Sequence, residues 1–163
     1  GLTANCATSP CTVTGLNNGT SYTFTVTATN ALGTGPASSA TAAVTPAAPP
    51  GTPTSFALQR GDSSATLTFG ATASNGAAIT GYEVSIDNGP WTALTTSGSS
   101  PVTATVTGLT NGTTYAFRVR AVNSAGNGLT VTAVRCTASS GGVCPEPLDV
   151  VVTLPSLPTM VSE

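Results

Sequence analysis

The chain has 163 residues; 6% are charged, against about 25% in ordinary soluble proteins, while apolar residues at 39% are near the usual share. With so few charges, the solvent face must be built from Thr, Ser, Asn and Gly. Four Arg, no Lys, no His and a net charge of −2 exclude the basic footprint of a nucleic-acid partner, and no run reaches the roughly 18 apolar residues of a membrane span. Gly1 is not preceded by the charged and apolar stretches of a signal peptide, so a processed or excerpted chain is expected.

Residues 12–35 (TVTGLNNGTSYTFTVTATNALGTG) align without a gap on residues 105–128 (TVTGLTNGTTYAFRVRAVNSAGNG), identical at 15 of 24 positions at an offset of 93. Such self-similarity is the mark of a repeated domain. In the first copy Tyr22, Phe24, Val26 and Ala28 alternate with Thr; in the second Tyr115, Phe117, Val119 and Ala121 alternate with polar residues. Period two predicts half-buried strands. Between the copies, residues 45–53 (TPAAPPGTP) are too rich in Pro, which has no N–H donor, to continue a ladder, and residues 47–52 are read as a linker. Predicted strands then follow at 56–58, 65–69, 79–86, 91–94 and 102–109, around Tyr115, and at 129–134. Gly61-Asp62, Asn75-Gly76, Asn88-Gly89, Asn111-Gly112 and Asn127-Gly128 supply turns. Seven short strands at this spacing predict an all-β, immunoglobulin-like β-sandwich.

The sequence resembles the fibronectin type III family, in the Thr/Gly-rich variety common on secreted bacterial proteins. The resemblance is carried by residues 75–83 (NGAAITGYE), by 108–115 (GLTNGTTY) with the following FRVRAVN, and by the repeat of the second motif at 15–22. It implies that Leu16 with Tyr22, and Leu109 with Tyr115, form tyrosine corners in which a phenol hydrogen-bonds upstream backbone. Phe69 stands where the family often has a core Trp; Trp91 falls on the following edge region.

Measured against that fold, residues 1–46 correspond to the last three strands of one domain, 53–138 to a complete domain, and 139–163 to a linker and the first strand or strands of a third. Three strands carrying Val13, Leu16, Tyr22, Phe24, Val26 and Val44 cannot close a two-sheet core, so something must cover them. Two explanations stand: the sequence is an excerpt of a longer array, or a donor tail containing Leu148, Val150, Val151, Val152 and Leu154 completes the half-sandwich of another copy, building a head-to-tail fibre.

Four Cys fall as two close pairs, Cys6/Cys11 and Cys136/Cys144, and local pairing is the simplest of three connectivities. Disulfides imply an oxidising, extracellular or cell-surface location. The spacing suits no zinc site, and no metal or cofactor is expected.

Arg60-Gly61-Asp62 spells an integrin-recognition triplet, but between the first two strands of the domain, where Gly-Asp is ordinary turn chemistry. Asn18 and Asn111 begin N-glycosylation patterns at equivalent turns, a recurrence the turn alone explains. Without His, and with no paired acids, no catalytic constellation is expected; Glu83 and Asp87, four apart on a strand, are separated by about 13 Å. Arg118 and Arg120 with Tyr82 or Trp91 outline a small binding face, although ladder pairing of an arginine with Glu83 is the better reading. The chain is read as a non-catalytic extracellular structural or adhesive module, a repeated spacer or fibre subunit whose partners are its own copies or neighbouring domains of the family. The alternative is a carbohydrate- or polymer-binding accessory or spacer module of a secreted hydrolase, with polysaccharide as partner.

Overall fold

The computed structural model describes residues 2–131 and the backbone of 135–137. In chain order the strands are β1 (Thr29–Asn30), β2 (Gly33–Thr34), β3 (Thr54–Gly61), β4 (Ser64–Gly70), β5 (Ile79–Ile86), β6 (Thr92–Leu94), β7 (Thr96–Ser97), β8 (Val102–Thr107), β9 (Thr114–Asn123), β10 (Gly126–Val131) and β11 (Arg135–Thr137). One sheet runs β3-β4-β8-β7 and the other β10-β9-β5-β6, with β11 also pairing β9. Together they make a β-sandwich, as the alternating pattern predicts.

Inward positions of both sheets meet in one core containing Leu58, Leu67, Phe69, Tyr82, Val84, Val102, Phe117 and Val119. Phe69 is fully buried and sits edge-on to Tyr82, ring centroids 4.9 Å apart, so it fills the place of the family's Trp as an aromatic plug. Each such side chain contributes about 1.5–3 kcal/mol through burial. Tyr82 therefore faces the core and takes no part in the surface outlined by the arginines, because its strand alternates and the arginines neighbour Glu83 and Ser85 instead.

The 79–86 strand appears with the bounds read from the pattern, whereas the last predicted strand lies earlier, at Gly126–Val131. The tight turn is at Ser124 and Ala125, and Asn127-Gly128 lies within β10 rather than at a turn. Gly128 answers a different need: a Cβ there would stand 2.7 Å from the Pro50 carbonyl oxygen and 3.0 Å from that of Ala121. The Asp87-Asn88 turn has φ of +49° and +62° and closes with Gly89 N–H donating to Ile86 O at 2.8 Å, the twist that suits a two-residue hairpin.

Residues 20–45 fold back on themselves as one hairpin. Tyr22 and Val44 exchange backbone hydrogen bonds, and Thr41 N–H donates to Phe24 O, Ser38 to Val26 and Gly35 to Ala28. Each step of two residues on the first arm is matched by three on the second. The Thr41 and Ser38 hydroxyls accept from Phe24 N–H and Val26 N–H, replacing carbonyls that the slipping register carries away. That hydroxyl substitution explains why only β1 and β2 are regular. The third strand expected around Val13 does not form, since no described segment offers its backbone a ladder partner of the kind β4 gives β8. Val13, Leu16, Tyr22 and Phe24 are half-buried, while Val26 and Val44 are exposed. Among the described residues this apolar face has no cover. Leu148, Val150, Val151, Val152 and Leu154, together with Cys144 and the Cys136 side chain, lie outside the described residues.

The Pro-rich stretch is part of the folded body rather than a free linker. Pro50 and Pro53 are fully buried, Gly51 N–H donates to Ala73 O at 3.0 Å and Leu129 N–H to Pro50 O at 3.3 Å. Backbone groups that Pro cannot pair in a ladder are thus paired across loops.

Candidate functional site

The outer face of the β10-β9-β5-β6 sheet carries Glu83, Arg118 and Arg120, three of the six charged side chains among the described residues. Arg118 and Arg120 alternate outward on β9, and the register sets Arg120 opposite Glu83 and Arg118 opposite Ser85. Arg120 binds the Glu83 carboxylate at 2.7 Å through Nη2 and through Nε. Arg118 Nη2 donates to Ser85 Oγ at 2.9 Å, and that hydroxyl donates to Gly89 O at 2.7 Å in the turn before Trp91. The half-buried Trp91 ring lies 4.2 Å from the Arg120 guanidinium carbon and 5.4 Å from that of Arg118. The result is a carboxylate–guanidinium–indole stack whose polar groups largely satisfy one another. Trp91, Arg118 and Arg120 lie together on this face, Arg120 paired with Glu83 and Arg118 with Ser85, while the buried Arg118 Nε has no hydrogen-bond partner.

Both tyrosine corners are formed. Asn17 N–H donates to Tyr22 Oη and Thr110 N–H to Tyr115 Oη, each at 3.0 Å. The Tyr115 phenol is held below its ordinary value, first by the Thr110 backbone bond and then by the Thr110 hydroxyl, against the opposing pull of desolvation. Cys6 and Cys11 form a disulfide.

The Arg60-Gly61-Asp62 segment closes the β3–β4 connection. Asn111 Nδ2 donates to Asp62 Oδ1 at 2.7 Å, and Asn111 Oδ1 accepts from Ser63 N–H at 3.0 Å. This side chain ties two turns together, so the amide that a glycan would use is already engaged; Asn18 is exposed. Asp87 Oδ1 accepts from Ala116 N–H at 2.7 Å. On the opposite sheet an open groove of about 330 Å³ is lined by Thr66, Thr95, Thr96, Ser97, Thr103, Ala104 and Thr105. It offers hydroxyls but no aromatic ring on which a sugar could stack.

Sequence reasoning missed Asn123. Only 5% exposed, it donates from Nδ2 to Ala48 O and Ser74 O at 2.9 Å and accepts at Oδ1 from Ala125 and Gly126 N–H. The signal was present: Asn30 occupies the same place in the first copy and likewise accepts from Leu32 N–H.

Two antiparallel sheets, a packed aromatic plug and paired tyrosine corners define an immunoglobulin-like sandwich. The fibronectin type III domain model matches residues 48–137, and the chain belongs to that family. The matched span begins within the Pro-rich stretch, in keeping with its place in the fold. Chitinase A1 of Niallia circulans is 40% identical over 136 residues, covering 76% of this chain and 19% of that protein. Endoglucanase B of Cellulomonas fimi is 41% identical over 128 residues, 71% of this chain and 12% of that protein. The chain thus spans less than a fifth of either relative. Domains d3-d4 of the rat CD45 extracellular region share the fold, with a TM-score of 0.51 at 18% identity over 86% of this chain and 72% of that one.

Proposed function

We propose that the chain is a non-catalytic spacer module of a larger extracellular polysaccharide hydrolase. The observation that carries this reading is the 40–41% identity to a chitinase and an endoglucanase over 19% and 12% of their lengths, the proportions of an accessory part. The chemistry agrees with it. Glu83, Asp62 and Asp87 are each bound to a neighbouring donor in the fold, and the chain contains no His to act as a general base. A spacer needs only to fold, resist the medium and hold its neighbours apart. A low-charge Thr/Ser surface and the Cys6–Cys11 bridge suit a protein outside the cell. Its partners are the neighbouring modules of the same polypeptide.

Between the spacer and the surface-fibre readings, the relatives favour the spacer. An antibody raised against the chain distinguishes them on the native protein. The spacer reading expects a secreted polypeptide far heavier than 15.8 kDa that hydrolyses chitin or cellulose. A chain of that mass assembled into filaments would overturn it.

A further inference from the structure

Two Asn-Gly turns, 57 residues apart, meet face to face at the junction between the hairpin segment and the complete sandwich. Gly19 and Gly76 both have positive φ, +81° and +93°. A Cβ on Gly76 would stand 2.5 Å from Gly19 N, 2.6 Å from Pro46 O and 3.0 Å from Asn18 C, and one on Gly19 would stand 3.3 Å from Gly76 Cα. The backbones approach so closely that Gly76 has no room for a side chain, and one on Gly19 would press against Gly76 Cα.

The strap between the two units is held on both sides. Gly19 N–H donates to Pro46 O at 2.9 Å, anchoring the strap to the hairpin's own turn. Two residues later it is anchored to the sandwich: Ala48 N–H donates to Asn75 O at 2.9 Å, Asn75 Nδ2 to Pro49 O at 2.8 Å and Asn123 Nδ2 to Ala48 O at 2.9 Å. Ala47 alone separates the two anchored stretches, and two prolines with fixed φ follow at 49 and 50.

We infer that this glycine-against-glycine contact is a docking surface that locks successive modules in one orientation, making the chain a rigid joint rather than a hinged tether. The partner it fits is the Asn-Gly turn of the following fibronectin type III module, received by the turn that precedes the corner tyrosine. The internal repeat provides a control. Gly112, the equivalent of Gly19, has the same φ of +81° and the same turn bond, Thr113 N–H to Thr110 O at 3.2 Å against Thr20 N–H to Asn17 O at 3.3 Å. Yet among the described residues nothing lies within 4 Å of a Cβ built on it.

Residual dipolar couplings measured on the whole chain test the inference. In the wild type one alignment tensor should fit both the 20–45 hairpin and the 54–131 sandwich. Gly112→Ala, which carries the same backbone strain away from the junction, should leave that single tensor intact. Gly19→Ala and Gly76→Ala should each require separate tensors, with the hairpin's order at least halved, while couplings within the sandwich still fit one body. Separate tensors in the wild type would overturn the inference, as would equal loosening by Gly112→Ala and Gly19→Ala.

Discussion

Arg120 places its guanidinium carbon 4.2 Å from the Trp91 ring centroid while its nitrogens hold Glu83. An indole engaged in this way stabilises the outer sheet face. Trp91→Ala is expected to lower unfolding free energy by about 1–2 kcal/mol in urea titration, through lost cation–π contact and packing. Co-sedimentation with insoluble chitin and cellulose should be equally low for wild type and variant. Retention that disappears in Trp91→Ala would instead establish the binding face.

Glu83 and Arg120 share a ladder position with side chains 27% and 18% exposed, so their ion pair is partly shielded from water. A double-mutant cycle with Glu83→Gln and Arg120→Gln should give a coupling of about 0.5–1 kcal/mol. Raising ionic strength should reduce it, because charges that keep some exposure remain open to screening.

Asn123 closes the junction of strap and sandwich through both ends of its amide. Asn123→Ala leaves several part-buried backbone groups without this partner, and a loss of about 1–2 kcal/mol is expected in thermal or urea unfolding. Amide exchange should accelerate at Ala125 and Gly126, whose N–H groups lose their acceptor.

Tyr115 supplies a pH dependence with a definite sign. The Thr110 bond lowers its folded pKa below the unfolded value of about 10, so the ionised phenolate is the form the fold prefers. The corresponding stabilisation is fully present above the unfolded value and is lost as pH falls through the lowered folded value. Difference spectroscopy of wild type against Tyr115→Phe should show that phenol ionising early in the native state. At neutral pH the same substitution removes the hydrogen bond from Thr110 N–H and should lower the urea midpoint.

Much of the fold is visible in the alternation itself. Ile79 to Ile86 reads as a strand because its apolar residues face one packed core, and the Glu83–Arg120 pairing follows once two strands are adjacent. Gly128 was misleading for a physical reason: glycine marks a turn and a close backbone approach equally well, and here the approaching group is Pro50 O. Val13 fails to form a strand because alternation describes a face, whereas a ladder also needs a neighbour. The Trp91 stack was legible as a cluster, but its self-satisfaction depends on Ser85 and Gly89, which no local pattern singles out. The role of Asn123 lay in the repeat, where asparagine recurs at the end of each tyrosine strand.

The central claim, that the module separates working parts of a hydrolase, is tested most directly in the native polypeptide by deleting residues 48–137. Hydrolysis of insoluble chitin or cellulose should fall severalfold while hydrolysis of short soluble oligosaccharides stays unchanged. Loss of both activities together, or of neither, would contradict the account.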